Sequence, residues 1–103
     1  MIYVPNPRDT SAVELPASLW PLIDALAEQL HEVWARRRVA EGWRHGPNRD
    51  DAQRLHPCLL PYSELPEAEK AYDRDAAIET LKTITVMGFR IEARLLPPAD
   101  DTD

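Results

Sequence analysis

The sequence predicts a mainly α-helical α+β fold, in which two antiparallel main helices pack beside an irregular loop, a short helix and short terminal β-strands. Apolar residues recur every three or four positions in two segments, which is typical of helices with one buried face. Glycines and prolines interrupt the chain between these segments, and short strand-like runs lie near both ends. A chain of 103 residues has the size of one domain. We therefore predict a single domain over residues 1–95 and a flexible acidic tail over residues 96–103.

The chain begins with strand-forming residues at positions 2–4, which two prolines cut short because proline lacks the N–H donor of a β-ladder. The first main helix is predicted over residues 18–41, with Ser18 as its N-cap and Gly42 as its end. Its apolar stripe consists of Leu19, Leu22, Ile23, Leu26, Leu30, Val33 and Trp34.

Residues 42–62 are predicted to form an ordered, packed loop, with a turn of helix near residues 49–54. The glycines and prolines of this segment prevent a long regular element, but it holds too many large apolar residues to be disordered. A short helix over residues 63–72 and the second main helix over residues 74–87 follow, with Asp73 as the cap of the second main helix.

The last predicted element is a short strand after the second main helix. Phe89, Ile91 and Ala93 alternate with charged residues, which is the period of a half-buried strand. Gly88 separates this run from the helix. The strand could pair with residues 2–4, and this pairing would bring the two ends of the domain together.

Charge and cysteine content narrow the classes of function. Asp and Glu number 18 against 12 Lys and Arg, and the net charge of −6 disfavours a nucleic acid or an anionic membrane surface as partner. No run reaches the ~18 apolar residues of a membrane span, and the first residues do not resemble a signal peptide. The single cysteine, Cys58, cannot form an internal disulfide, so we expect a cytoplasmic protein.

The residues that could carry chemistry do not form a catalytic motif. His56 and Cys58 are two positions apart, but no further ligands with metal-binding spacing occur, so we predict no metal site. Cys58 lies between Pro57 and Leu59, without the polar neighbours that activate a thiol, and we interpret it as structural. Phosphate-binding glycine loops and nucleophile motifs are missing from the sequence. The sequence therefore predicts no enzymatic activity and no cofactor.

Aromatic and basic residues gather around the central loop, and they are the best candidates for a binding site. An indole ring stacks on a planar base and arginine pairs with phosphate, so the combination suits a planar, anionic ligand. For Trp34, on the apolar stripe, we favour a role in the core, whereas Trp43 suits a ligand and a loop anchor equally well. The candidate ligand-binding residues are Trp43, Arg44, His45, Arg49, Arg54, His56 and Tyr62.

Several short motifs, taken in order, point to one known family. They are AEQLHEVWA at 27–35, GWRHGP at 42–47, LHPCLLPY at 55–62, LPEAEK at 65–70, ETLK at 79–82 and GFRI at 88–91. With this order and spacing, the chain from about Pro7 to Glu92 resembles the ryanodine-receptor repeat domain, or RyR domain. The resemblance implies two antiparallel helices, short strands and a packed loop, and it implies no enzymatic activity.

The resemblance also implies a function. In the calcium-release channels these repeats occur as tandem pairs within a cytosolic assembly, and one pair holds an adenine nucleotide between the Gly-Trp tryptophans of its two halves. The matching residue in this sequence is Trp43. A single repeat, of the kind found in bacteria and phages, would reproduce such a pair as a homodimer. The implied function is recognition of an adenine-type nucleotide at a dimer interface.

Two alternatives remain open. The domain could be a structural or protein-interaction module without a small-molecule ligand, in which case Trp43 would be buried with no cavity beside it. An enzyme ranks last, because no nucleophile has both a base and an orienting group in the sequence pattern.

Overall fold

The structure is a computed structural model that describes residues 1–92, and it shows a mainly helical fold. Two long helices contribute most of the regular structure, and a short parallel sheet lies between them along the chain. The elements in chain order are a 3-10 helix at Ala17–Leu19, α1 (Trp20–Ala40), β1 (Arg44–His45), β2 (Leu55–His56), a 3-10 helix at Tyr62–Glu64 and α2 (Glu67–Val86).

The first predicted helix is confirmed as α1. It begins two residues later than predicted, because Ala17–Leu19 form a 3-10 turn in which the Leu19 amide donates to the Pro16 carbonyl at 3.0 Å. Leu19 therefore occupies the N-cap position in place of Ser18, and no side chain caps the helix. Gly42, with a φ of 95°, ends α1 in the left-handed conformation that glycine adopts most easily.

The short helix and the second main helix form one continuous helix, α2, which corrects the predicted break at residue 73. Pro66 occupies the N-cap position, and Glu67 and Glu69 lie in the first turn. Acidic groups there stabilise the helix because they interact favourably with the positive end of its dipole. Asp73 lies inside the helix, so it caps nothing. Asp73 was predicted as a cap because aspartate is a common N-cap residue. In the structure, the backbone amides around it are hydrogen-bonded within α2.

The helices pack through a small apolar core. Ile23 of α1 is buried together with Ala77 and Leu81 of α2. Further along α1, His31 and Trp34 line a pocket with residues from the first half of α2. Later residues of α1 thus lie against earlier residues of α2, which is the order expected of an antiparallel pair. Partly buried apolar residues surround this core: Leu15, Leu26, Ile78, Ile84 and Ile91.

The predicted terminal strands are wrong for the described residues. Residues 2–4 are exposed and residues 89–92 follow a helix cap, and neither range forms a strand. The Phe89 amide donates to the Ile84 carbonyl at 3.1 Å, so this segment is held to the end of α2 and has no strand partner. Ala93 and the predicted tail at 96–103 lie outside the described residues.

The only β-structure within residues 1–92 lies inside the central loop, where the sequence shows no strand pattern. β1 and β2 run parallel, with Arg44 opposite Leu55 and His45 opposite His56. A tight turn closed by two hydrogen bonds between the backbones of Asp50 and Leu55, each 2.9 Å, replaces the predicted turn of helix at 49–54. This arrangement holds residues 43 and 56 beside each other and positions the site described below.

Candidate functional site

Five aromatic rings meet where the central loop lies against α1. This aromatic cluster consists of His31, Trp34, Trp43, His56 and Tyr62. The His56 ring packs edge-on against Trp34, with centroids 5.0 Å apart, and lies 6.2 Å from Trp43. The His31 centroid is 5.6 Å from that of Trp34, and the Tyr62 centroid is 6.1 Å from that of His31. α1 supplies His31 and Trp34 one turn apart, while the short sheet supplies His56 next to Trp43.

Two arginines lie beside the indole ring of Trp43. The Arg38 guanidinium carbon is 5.3 Å from the Trp43 centroid and 6.0 Å from that of Trp34. The Arg49 guanidinium carbon is 5.8 Å from the Trp43 centroid. All three distances fall in the range of cation–π contacts. Trp43 is half-buried, so the residue remains partly accessible to solvent.

The Arg49 side chain is oriented by a neighbouring carboxylate. Arg49 Nε donates to Oδ1 of Asp51 at 2.8 Å, and both groups are exposed. The hydrogen bond with Asp51 raises the pKa of Arg49, and the same bond lowers the pKa of Asp51. An exposed ion pair contributes little to stability, and this one holds the Arg49 side chain near Trp43.

Hydrogen bonds set the tautomers of the two histidines. The Cys58 backbone N–H donates to Nδ1 of His56 at 3.0 Å, so a neutral His56 carries its proton on Nε2. Burial, followed by the positive charges of Arg49 and Arg38, lowers the pKa of His56 below its ordinary value of 6.5. His31 Nε2 lies 2.7 Å from the Leu60 carbonyl oxygen, which can only accept, so Nε2 of His31 is the donor and Nδ1 is left as an acceptor.

A pocket of about 220 Å³ opens between α1, the loop and α2. We call it the acidic pocket, and its lining includes His31, Trp34, His56, Cys58, Glu69 and Asp73. Burial raises the pKa of Asp73, and the negative charge of Glu69 raises it further, while His31 acts in the opposite direction.

The Cys58 thiol in this pocket has the wrong electrostatics for a nucleophile. Burial and the Glu69 carboxylate both raise the pKa of Cys58. A reactive cysteine needs a lowered pKa, because the thiolate is the attacking form. Nδ1 of His56 is occupied by the Cys58 backbone amide, so this nitrogen does not serve as a base for the thiol. Within residues 1–92, no group of three His, Cys, Asp or Glu side chains is arranged to hold a metal ion.

Of the predicted site residues, the structure brings Trp43, Arg49 and His56 together. Arg44 and His45 have exposed side chains on β1. The remaining two predicted residues serve other contacts. The Arg54 guanidinium donates to the Glu41 carbonyl. The Arg54 backbone has a φ of 58° at the end of the tight turn. Tyr62 lies at the opposite end of the aromatic cluster from Trp43, with the Lys70 ammonium 5.7 Å from its ring centroid.

Sequence reasoning missed several residues that the structure places at the site. One is His31, which belongs to both the aromatic cluster and the acidic pocket. Trp34 was assigned to the core, but it is only half-buried and forms a wall of the acidic pocket. Arg38 follows Trp34 by one helical turn, and this spacing could have shown that both share a face of α1. Glu69 and Asp73 also share a helix face, but the break predicted at residue 73 hid their relation.

Comparison with protein-family models gives a match to the RyR domain over residues 3–93, which is most of the chain. The chain belongs to the RyR domain family. The resemblance inferred from the motifs is therefore confirmed, and its most recognisable run, GWRHGP, spans β1 and carries Trp43. In this RyR domain, neither long helix within residues 1–92 combines the length and apolarity that crossing a bilayer requires.

Proposed function

We propose that this RyR domain is a non-enzymatic recognition module that binds an adenine-type nucleotide by stacking on Trp43. The observation that carries the proposal is the half-buried Trp43 indole flanked by two guanidinium groups, at 5.3 and 5.8 Å from its centroid. An indole offers a flat apolar surface to a purine, and arginine offers paired donors to phosphate. The Arg49 guanidinium already holds an anionic partner, Asp51, whose place a phosphate can take.

The distribution of charge favours an anionic ligand at this end of the molecule. The whole chain has a net charge of −6. Between residues 36 and 54, however, there are six arginines and only three acidic residues. The Trp43 region is therefore locally positive on an acidic protein, and this local field attracts phosphate even though the total charge repels it.

A second copy of the chain would complete the site. Trp43 lines neither the acidic pocket nor the groove over Arg37, Arg38 and Glu41. A stacked base would thus have one protein wall and would expose its other surface to water. In a two-fold symmetric dimer, the partner's copy of the same surface supplies the second wall, because such an interface is formed by identical patches. We accordingly propose a homodimer with the nucleotide between the two Trp43 rings.

The raised pKa of Cys58 supports a binding function over catalysis, since this thiol is held away from its reactive form. A single reduced cysteine also agrees with a cytoplasmic location, which is part of the proposal.

The experiment is a fluorescence titration of the full chain with adenine and guanine nucleotides, including cyclic forms and ADP-ribose. We expect saturable quenching by an adenine nucleotide. Trp43→Leu should abolish it, because the stacking surface is lost. Trp20→Leu is the matched control, since Trp20 is 53% exposed at the start of α1 and lies outside the aromatic cluster. Equal responses of the two variants would contradict the role of Trp43.

The contribution of arginine is tested separately. Arg49→Gln should weaken nucleotide binding about tenfold, the size of effect expected for one charge-assisted hydrogen bond. Arg36→Gln removes the same charge from an exposed position outside the aromatic cluster and should have a much smaller effect. If both variants weaken binding equally, the phosphate is attracted by overall charge and not by Arg49.

One observation favours the alternative of a protein-interaction module. An apolar groove of about 420 Å³ runs along α1, with Ala35 and Val39 on one side and residues 59–61 on the other. Val39 is 61% exposed. A flat response to every nucleotide would favour this groove as the functional surface.

A further inference from the structure

We propose that the acidic pocket is a second binding site, separate from Trp43, and that it takes a small organic cation: a primary ammonium or guanidinium group on a short aliphatic chain. The inference does not depend on the proposed nucleotide function. It rests on the charges, the hydrogen-bond acceptors and the walls of this pocket.

The pocket contains two carboxylates that the protein leaves without cationic partners. Glu69 and Asp73 lie one turn apart on α2 and both line the pocket. The cations next to them in sequence, Lys70 and Arg74, pair instead with Glu67, at 3.9 and 2.7 Å. Within residues 1–92, neither pocket carboxylate takes part in an ion pair with lysine or arginine. Inside the pocket, the partner of Glu69 is the Cys58 thiol and the partner of Asp73 is His31, whose charge lowers the pKa of Asp73. A cation from outside would add the permanent positive charge that no lysine or arginine of the described residues supplies there.

A buried histidine adds a hydrogen-bond acceptor to the carboxylates. His31 is 4% exposed and lines the pocket. Its Nε2 donates to the Leu60 carbonyl at 2.7 Å, which leaves Nδ1 as an acceptor in the neutral ring. Among the described residues, Nδ1 of His31 has no hydrogen-bond partner. An ammonium group has three donors and no acceptor, and it matches two carboxylates and one imidazole nitrogen.

The walls and the size of the pocket limit what the cation can carry. Trp34 lines the pocket, and indole is the best aromatic partner for a cation. The Arg38 guanidinium carbon, 6.0 Å from the Trp34 centroid, shows that this ring already lies beside a cation of the protein. Leu65 also lines the pocket and suits an alkyl chain. A volume of about 220 Å³ is below the range of roughly 300–1,000 Å³ of pockets that bind drug-sized ligands. The pocket therefore suits a cationic head and a few methylene groups, not a nucleotide.

The two sites would select ligands of opposite charge, and His56 lies next to both. Arg38 and Arg49 lie beside Trp43, and Glu69 and Asp73 lie in the pocket. His56 is near both, because its ring packs against Trp43 and lines the pocket. Anions are favoured on the arginine side and repelled by the carboxylates, so the acidic pocket does not serve as a phosphate site.

The test is a titration of the full chain with n-butylammonium chloride, followed by ¹H–¹⁵N NMR. 1-Butanol serves as the uncharged control of similar shape, and sodium chloride controls for ionic strength. We expect saturable shifts at the Trp34 indole N–H and at the backbone amides of residues 69–73, with a dissociation constant in the millimolar range. Neither 1-butanol nor sodium chloride should produce them.

Variants assign the effect to the pocket carboxylates. Asp73→Asn should weaken butylammonium binding about tenfold, because one charge-assisted hydrogen bond is lost. Asp75→Asn removes an equal charge from an exposed position on α2 and should leave binding unchanged. If Asp73→Asn does not fold, Glu69→Gln carries the same expectation. Trp43→Leu should leave butylammonium binding intact, which separates this site from the nucleotide site.

Three outcomes would overturn the proposal. The first is the absence of saturable shifts with butylammonium. The second is an equal response to 1-butanol, which would make the pocket an alkyl site. The third is equal weakening by Asp73→Asn and Asp75→Asn, which would show that only the overall negative charge attracts the cation.

Discussion

His31 and His56 both pack against the Trp34 ring, and their hydrogen bonds give them different roles. The bond from the Cys58 amide makes His56 a donor through Nε2, and the bond to the Leu60 carbonyl makes His31 an acceptor through Nδ1. Protonation would change Nδ1 of both rings, because an imidazolium has two donors and no acceptor. Nδ1 of His56 could then no longer accept from the Cys58 amide, and Nδ1 of His31 would become a donor. Single proton positions would therefore affect how the loop is held and which groups of the proposed cation site can accept a hydrogen bond.

The first prediction concerns the pH dependence of stability at His56. Its pKa is lowered in the folded protein, so the unfolded chain takes up the proton more readily as the solution becomes acidic. The stability that neutral His56 contributes is complete above pH 6.5, the ordinary value, and is lost as the pH falls from there through the lowered pKa. We expect the melting temperature to fall between about pH 7.5 and about pH 5, and His56→Asn to reduce that fall.

Asparagine is the appropriate substitution at this position because its side-chain oxygen can still accept the Cys58 N–H. His45→Asn is the control, since His45 is exposed on the neighbouring strand and should keep the full pH dependence. Thermal unfolding followed by circular dichroism measures all three proteins. A fall that is as steep in His56→Asn as in the original protein would show that other groups cause it.

At the scale of elements, the pairing of β1 with β2 places Trp43 beside His56. The strands approach each other closely at Gly46, which is buried. A Cβ atom placed on Gly46 would lie 2.8 Å from Cβ of Leu55, a distance that forces the backbones apart. The Gly46 amide also donates to the His56 carbonyl at 3.3 Å, so moving it would disturb the ladder directly.

The second prediction is that Gly46→Ala destabilises the fold by about 1–3 kcal/mol, the cost of overpacking a tight site. It should also change the tryptophan fluorescence of the native state, because Trp43 and His56 would separate. Gly88→Ala is the matched control: its φ of 99° makes alanine unfavourable, but no atom lies within 4 Å of the added methyl group. Urea unfolding should show that both variants are destabilised, with native fluorescence altered only in Gly46→Ala.

The length of each element determines whether its sequence pattern can be recognised. α1 is long enough for its apolar stripe to repeat several times, so periodicity identified it. β1 and β2 have two residues each, and a period of two cannot be recognised in so short a run. The alternation at residues 89–91 was misleading for the same reason, because a few alternating residues also occur where a chain leaves a helix.

The candidate site was predictable only in part. Trp43, Arg49 and His56 were identified because aromatic and basic residues gather in one loop, a combination that suits a planar, anionic ligand. Glu69 and Asp73 were not, because carboxylates on a helix are normally solvated, and only the packing of α2 against α1 turns them toward a pocket. Local patterns thus found the residues of the loop, whereas the pocket depends on tertiary contacts between residues far apart in sequence.

At the scale of the whole molecule, positive and negative charges are unevenly distributed along the chain. The arginines cluster between residues 36 and 54, while the protein as a whole carries a net charge of −6. Two identical basic surfaces repel each other when they are brought together about a two-fold axis. The proposed homodimer therefore needs an anion between its halves, and a nucleotide bound at Trp43 would provide both the negative charge and the stacking surface.

The last prediction is that dimerisation depends on the nucleotide. Without ligand, light scattering should give a mass near that of the single chain, 11.7 kDa. With an excess of the adenine nucleotide that quenches fluorescence, the mass should approach twice that value, and rising salt should reverse the change because it screens the contacts between phosphate and arginine. Trp43→Leu should remain monomeric at every nucleotide concentration, whereas Trp20→Leu should dimerise normally. A dimer that forms without nucleotide and persists in Trp43→Leu would place the interface elsewhere, and the apolar groove along α1 would then be the surface to examine.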